Sequence, residues 1–142
     1  MRLVDANVLL HAVNTASSQH RRAHEWLDAS LNGQEAVGFA WTVLLAFLRL
    51  ATHRAIFPQP LTVGEAIGVV RDWLAQPTAL LVEPGTRHID VLSGLLTESG
   101  SAGNLVSDAH LATLAIEQDA VLVSFDADFG RFQGLRWEQP ST

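Results

Sequence analysis

Short apolar runs separated by helix-length segments constrain this chain most. Arg2-Leu3-Val4, Val37–Trp41, Leu80-Leu81-Val82 and Ala120–Ser124 are each too brief for a helix. Such runs read as buried strands. Helical patterns lie between them. Helix-like sequence follows from Asn7, and Gln19–Leu31 places Ala23, Trp26, Leu27 and Leu31 at helical spacing. Ser17 or Ser18 is its expected cap and Asn32-Gly33 its stop. Thr42 is expected to cap a helix reaching about His53, apolar nearly all round and hence buried on several sides. Pro58 and Pro60 mark a loop. Thr62-Val63-Gly64-Glu65 reads as a capping box, with Val63, Ile67, Val70 and Leu74 on one face of the helix it opens. Arg87–Glu98 is the next helix, with Ile89, Leu92 and Leu96 turned inward. Gly100-Ser101-Ala102-Gly103 is a link, and Asn104 or Ser107 caps the helix carrying Leu111, Leu114 and Ala115. Leu135-Arg136-Trp137 is a last short strand. Strands alternating with helices predict an α/β sandwich with a mostly parallel sheet.

Composition narrows the chemistry. The 142 residues, 48 % hydrophobic and 17 % charged, suffice for one domain with a buried core. Cysteine is absent, which excludes disulfide scaffolds, thiol catalysis and Cys-ligated metals. Lysine is absent too, since all 9 basic residues are arginine. Walker-A nucleotide hydrolysis and Schiff-base chemistry both need a lysine. The net charge of -6 argues against a constitutive duplex-binding protein. It is compatible with carboxylates gathered to hold cations. No apolar run reaches the ~18 residues of a membrane span, and the start of the chain does not read as a signal peptide. The expected location is the cytoplasm.

The acids fall where such a fold binds ligands, beyond the carboxyl ends of parallel strands. Asp5 closes the first strand, with Asn7 two residues on. Asp126 and Asp128 follow Ala120–Ser124. Asp108 opens the helix leading into that strand. Singly, each Asp reads as a turn former or helix cap. Jointly, they are bare anions that repel unless a hard divalent cation such as Mg²⁺ or Mn²⁺ joins them. A bound cation lowers the pKa of water and neutralises charge on a phosphate.

Three segments carry a resemblance: Leu3-Val4-Asp5-Ala6-Asn7-Val8-Leu9-Leu10, Asn104–Ala112 and Val123–Phe129. Together they resemble the PIN-domain ribonucleases, and within them the VapC toxins of VapBC toxin–antitoxin pairs. The likeness runs from Asp5 to about Pro140. It implies a single PIN domain over 1–142, a three-layer sandwich with a short-stranded, mostly parallel central sheet flanked by helices. It implies a Mg²⁺-dependent endoribonuclease, with Mn²⁺ as substitute, that cleaves single-stranded or loop RNA by metal-activated water. The implied catalytic residues are Asp5, Asp108, Asp126 and Asp128, with Asp5, Asp108 and Asp126 on the metal. Asn7, Arg49 and Ser107 are the implied supporting residues, Arg49 by pairing with the carboxylates or contacting a phosphate. The implied partners are a cognate VapB-type antitoxin, whose helix would lie between Gln19–Leu31 and Val43–Leu50, and a second copy of the chain. One departure stands out. Ala46 occupies the place where many members carry a glutamate on the third helix, so one well-held metal is expected rather than two. The competing reading is a degenerate PIN domain that binds RNA or an antitoxin without cutting. A phosphatase using Asp5 as nucleophile is disfavoured by the missing lysine.

Other residues have plainer readings. His20 and His24 have helical metal-ligand spacing with no third convergent ligand. His110 either supports Asp108 or is an exposed helix-start residue. The four tryptophans offer faces for base stacking, although Trp26 and Trp73 fit core positions better.

Overall fold

A computed structural model describes residues 1–100, 103 and 105–141. The expected link residues Ser101 and Ala102, and the candidate cap Asn104, lie outside the described residues.

The five strands among the described residues are short rungs of a parallel sheet. They are β1 (Arg2–Val4), β2 (Val37–Ala40), β3 (Ala79–Val82), β4 (Val121–Val123) and β5 (Arg136–Glu138). The order across the sheet is β3-β2-β1-β4-β5, and every neighbouring pair is parallel. Leu3, Val4, Leu122 and Val123 of the central strands are wholly shielded from solvent, as expected where helices cover both faces of a sheet. The edge behaves differently. Leu80 and Leu81 in β3 remain 48 % and 47 % exposed, because β3 pairs with β2 alone.

Among the described residues, six α-helices surround this sheet, completing the α/β sandwich: α1 (Ala6–Val13), α2 (His20–Leu31), α3 (Trp41–Ala51), α4 (Val63–Leu74), α5 (His88–Ser99) and α6 (Leu105–Glu117). The capping box is present, with Thr62 accepting from the Glu65 amide and Glu65 accepting from the Thr62 amide. α3 and α4 are joined through β2 by aromatic contacts: the Trp73 ring lies 6.3 Å from Phe39 and 4.9 Å from Phe47.

Several local expectations are corrected. Trp41 is the first residue of α3 and not the end of β2, so Ala40 holds the N-cap and Thr42 lies inside the helix. α3 is not buried all round, for Trp41 and Leu45 are exposed. α2 has Gln19 at its N-cap without a side-chain hydrogen bond, while Ser17 accepts from the Gln19 amide one turn earlier. Ser107 is the third residue of α6 and not its cap. Val63 and Ile89 face solvent at first-turn positions, and Ala66 and Leu95 supply the buried contacts.

Gly38 is required where β2 meets its neighbours. A Cβ there would stand 2.8 Å from Val82 Cγ2 and 3.1 Å from Leu3 Cδ1. Gly38→Ala is therefore expected to destabilise by about 1–3 kcal/mol, the usual cost of overpacking a core. Urea denaturation checks this: the midpoint should fall at unchanged m-value.

Candidate active site

The chain turns from one half of the sheet to the other between β1 and β4. β2 and β3 extend to one side of β1, and β4 and β5 extend to the other. Such a switch point opens a crevice beyond the carboxyl ends of the strands. Asp5 leaves β1 into this crevice, and Ser124 and Asp126 leave β4 into it.

Asp5 is the N-cap of α1. Its Oδ1 accepts from the Ala6 amide at 2.7 Å, and its Oδ2 accepts from the Ser124 hydroxyl at 2.7 Å. Asn7, in the first turn of α1, bridges the two strand ends. Its Nδ2 donates to Ser124 Oγ at 3.0 Å and to Asp5 Oδ2 at 3.3 Å, while its Oδ1 accepts from the Phe125 amide at 3.1 Å. Ser124 is the hub. Its hydroxyl donates to Asp5 and accepts from Asn7 and from the Asp126 amide, which uses the whole capacity of one hydroxyl. Its carbonyl accepts from the Trp137 indole on β5. Ser124 is fully buried. It was not singled out from the sequence; the available signal was a hydroxyl residue at the end of the most strand-like stretch, two before Asp126.

Asp126 caps a single 3-10 turn, Ala127–Arg131, by accepting from the Asp128 amide at 2.9 Å. It therefore has the structural role that sequence alone assigns to an Asx turn, in addition to its place in the crevice. Asp108 stands in the first turn of α6 and is partly buried. Asp128 is exposed on the rim, 3.6 Å from Arg131.

These charges feel one another. Burial raises the pKa of Asp5, and the charges of Asp108 and Asp126 raise it further, against the opposing hydrogen bonds from Ser124 and Ala6. Burial also raises the pKa of Asp108, aided by Asp126 and Asp128 and opposed by Arg131. The carboxylates do not converge on one point, however. Among the described residues, no three His, Cys, Asp or Glu side chains form a group that could hold a metal ion. Side chains of like charge in a low-dielectric crevice gain by standing apart.

The remaining expected residues fall elsewhere. Arg49 lies in a groove between α3 and α4 with Thr52, Val63, Ala66 and Ile67, and makes no ion pair among the described residues. Ser107 is exposed. Ala46 is partly buried within α3. Arg131 is the basic group that acts on Asp108. His20 and His24 stack at 5.6 Å, and His20 Nδ1 is 3.0 Å from the His11 carbonyl.

Comparison with known proteins identifies the family. The PIN domain family model fits residues 2–135. The chain belongs to the PIN-domain family. This PIN domain is 57 % identical over 140 residues to Ribonuclease VapC37 of Mycobacterium tuberculosis, covering 99 % of this chain and 97 % of the relative. It is 44 % identical to Ribonuclease VapC33 of the same species, covering 99 % and 98 %. Its fold superposes on VapBC2 from Rickettsia felis, solved bound to a promoter DNA fragment. There the TM-score is 0.73 at 16 % identity, with 99 % of this chain and 98 % of that one covered. It also superposes on VapC20 of M. tuberculosis, a sarcin-ricin-loop-cleaving toxin. That TM-score is 0.68 at 15 % identity, covering 96 % and 99 %.

The raised Asp5 pKa has a stability consequence. Between the unfolded value, ~3.9, and the higher folded value, the native state binds more protons than the unfolded chain. Its stability therefore falls as pH rises through that window. In EDTA, wild type should lose stability relative to Asp5→Asn as pH rises from about 3.9. Denaturation curves over that range check this; a constant difference between the two proteins contradicts it.

Proposed function

We propose that this PIN domain is a metal-dependent endoribonuclease, the toxin of a type II toxin–antitoxin pair. The observation that carries the reading is the Asp5–Ser124–Asn7 junction, which fixes one carboxylate in the crevice that Asp108 and Asp126 also charge. Identity of 57 % to a named ribonuclease supports it.

The donor chemistry suits a hard divalent ion. Every acid of the crevice offers oxygen, and Asp5 and Asp108 both carry raised pKa values of the kind a cation would relieve. Mg²⁺ keeps several of its waters, so carboxylates that do not meet at one point can still share it through those waters. Asp5, Asp108 and Asp126 would hold it, with Asp128 at the rim. Bound there, Mg²⁺ or Mn²⁺ would acidify a water and neutralise charge developing on a phosphate.

The chain's own groups have distinct tasks. Ser124 and the Ala6 amide fix the direction of the Asp5 carboxylate. Asn7 ties the β1 and β4 ends together, so Asp5 and Asp126 keep their separation. Arg131, exposed beside Asp128, would meet a phosphate oxygen of the RNA. Hydrolysis at phosphorus by water needs no 2′-hydroxyl, and with the 3′-oxygen as leaving group it leaves a 5′-phosphate and a 3′-hydroxyl. The substrate is single-stranded or loop RNA, whose backbone can enter the crevice without displacing a partner strand.

Of the two expected antitoxin walls, Val43–Leu50 lines a groove with α4 and not with α2. This α3–α4 groove, with Val63 71 % exposed on its rim, offers an apolar wall for a VapB-type antitoxin helix. A second copy of the chain is a further expected partner. No helix among the described residues is long and apolar enough to cross a membrane. Cytoplasmic location belongs to the same proposal.

Fluorescent RNA incubated with Mg²⁺, Mn²⁺ or EDTA tests the reading. Wild type should cut only with metal, and Asp5→Asn should cut at least ~10³-fold more slowly, a loss of about 4 kcal/mol of transition-state stabilisation, while remaining folded. Cutting in EDTA would contradict the metal dependence, and no cutting with any RNA and metal would point to a binding module.

A further inference from the structure

Beside the acidic crevice, at the same sheet end, lies a second cavity of about 470 Å³ that no catalytic acid lines. Its walls are Trp41 and Thr42 at the start of α3, Glu83 just beyond β3, and His110 and Leu114 on α6. Its volume is in the ~300–1,000 Å³ range of ligand pockets. We propose that this cavity seats a nucleobase of the RNA next to the scissile phosphate, with Trp41 as its stacking face and Glu83 and His110 as its hydrogen-bonding groups. The assignment rests on the nuclease reading and names the part of the substrate that the site selects.

Position comes first. β2 adjoins β1 and β3 adjoins β2, so Trp41 and Glu83 leave the sheet one and two strands from Asp5. At ~4.8 Å per strand, both lie within reach of a neighbouring nucleotide. α6 links the two sites, carrying Asp108 to the crevice and His110 to the cavity.

The chemistry comes next. Trp41 is 47 % exposed, unlike the buried Trp26, and so presents a free indole. Single-stranded RNA is recognised by such stacking. His110 is held from behind by a buried chain of polar groups. Its Nδ1 lies 2.9 Å from His88 Nε2, and His88 Nδ1 lies 2.5 Å from Glu117 Oε1. Glu117 Oε2 accepts from the Gly85 amide at 3.1 Å. The His88 and Glu117 side chains are 12 % and 11 % exposed. This chain occupies Nδ1 of His110 and leaves Nε2 as its remaining ring nitrogen. Glu83 is exposed and makes no ion pair among the described residues. Its carboxylate repels a phosphate and accepts from amino groups. The occupant is therefore a base bearing an exocyclic amine, favoured over uracil.

Fluorescence anisotropy in EDTA tests this without cleavage. The probes are labelled single-stranded RNA octamers of adenylate, cytidylate or uridylate, and one abasic throughout. Wild type should bind adenylate or cytidylate about tenfold tighter than uridylate, and the abasic strand weakest. Trp41→Ala should weaken base-containing strands about tenfold, with Trp41→Phe restoring most of it. Glu83→Gln, His110→Ala and His88→Gln should each narrow the preference for amino-bearing bases. Equal binding of abasic and base-containing strands, no binding, or an indifferent Trp41→Ala would overturn the proposal. Cleavage with Mg²⁺ is scored separately. Base discrimination without cutting would sink the nuclease reading and leave the base pocket standing.

Discussion

The site is organised around mutual repulsion among carboxylates that the sheet forces to the same end. Parallel strands direct their carboxyl ends to one side, and the order β3-β2-β1-β4-β5 puts β1 beside β4 although most of the chain lies between them. Asp5 and Asp126 thereby become neighbours, and α6 adds Asp108. Burial and like charge raise the pKa of Asp5 and Asp108, so the fold holds these groups in an environment unfavourable to their anions. Folds retain such cost mainly at functional sites. Elsewhere charge is paired with its opposite, as where Arg2 meets Glu35 and Glu138.

The hydrogen bonds around Ser124 decide how that repulsion is expressed. A carboxylate free to rotate would turn to water. Asp5 is held by the Ala6 amide and the Ser124 hydroxyl, and Ser124 is in turn clamped by Asn7 and the Asp126 amide. One buried hydroxyl thus sets the orientation of the first acid and the path of the chain into the third. The same arrangement explains why β4 and β5 can be very short. The Ser124 amide donates to the Glu138 carbonyl, and the Trp137 indole donates to the Ser124 carbonyl, extending the pairing beyond β4.

Much of this was legible in the sequence because short apolar runs and their terminal acids are local signals. The strand ending at Asp5, the capping box at Thr62 and the acids after Ala120–Ser124 are each readable from a few consecutive residues. What escaped depends on partners distant in sequence. Ser124 gains its role only once Asp5 and Asn7 lie opposite it. The Glu117–His88–His110 chain joins residues 29 and 22 apart. Helical periodicity turns Ile89 inward, yet it lies outside because Leu95 takes the buried face of α5. Leu80 and Leu81 read as core until the topology leaves β3 at an edge. Arg49 follows from the resemblance rather than from any pattern here, and it lies in the α3–α4 groove.

The central claim is that these carboxylates share a divalent cation. Isothermal titration of Mn²⁺ into the metal-free protein tests it most directly, run at a series of pH values from about 4 upward in two buffers of different ionisation enthalpy. The account predicts saturable uptake accompanied by proton release, because Asp5 and Asp108 hold protons above the usual carboxylate range. Asp5→Asn and Asp108→Asn should each weaken that uptake. No Mn²⁺ uptake, or uptake indifferent to both substitutions, would contradict it.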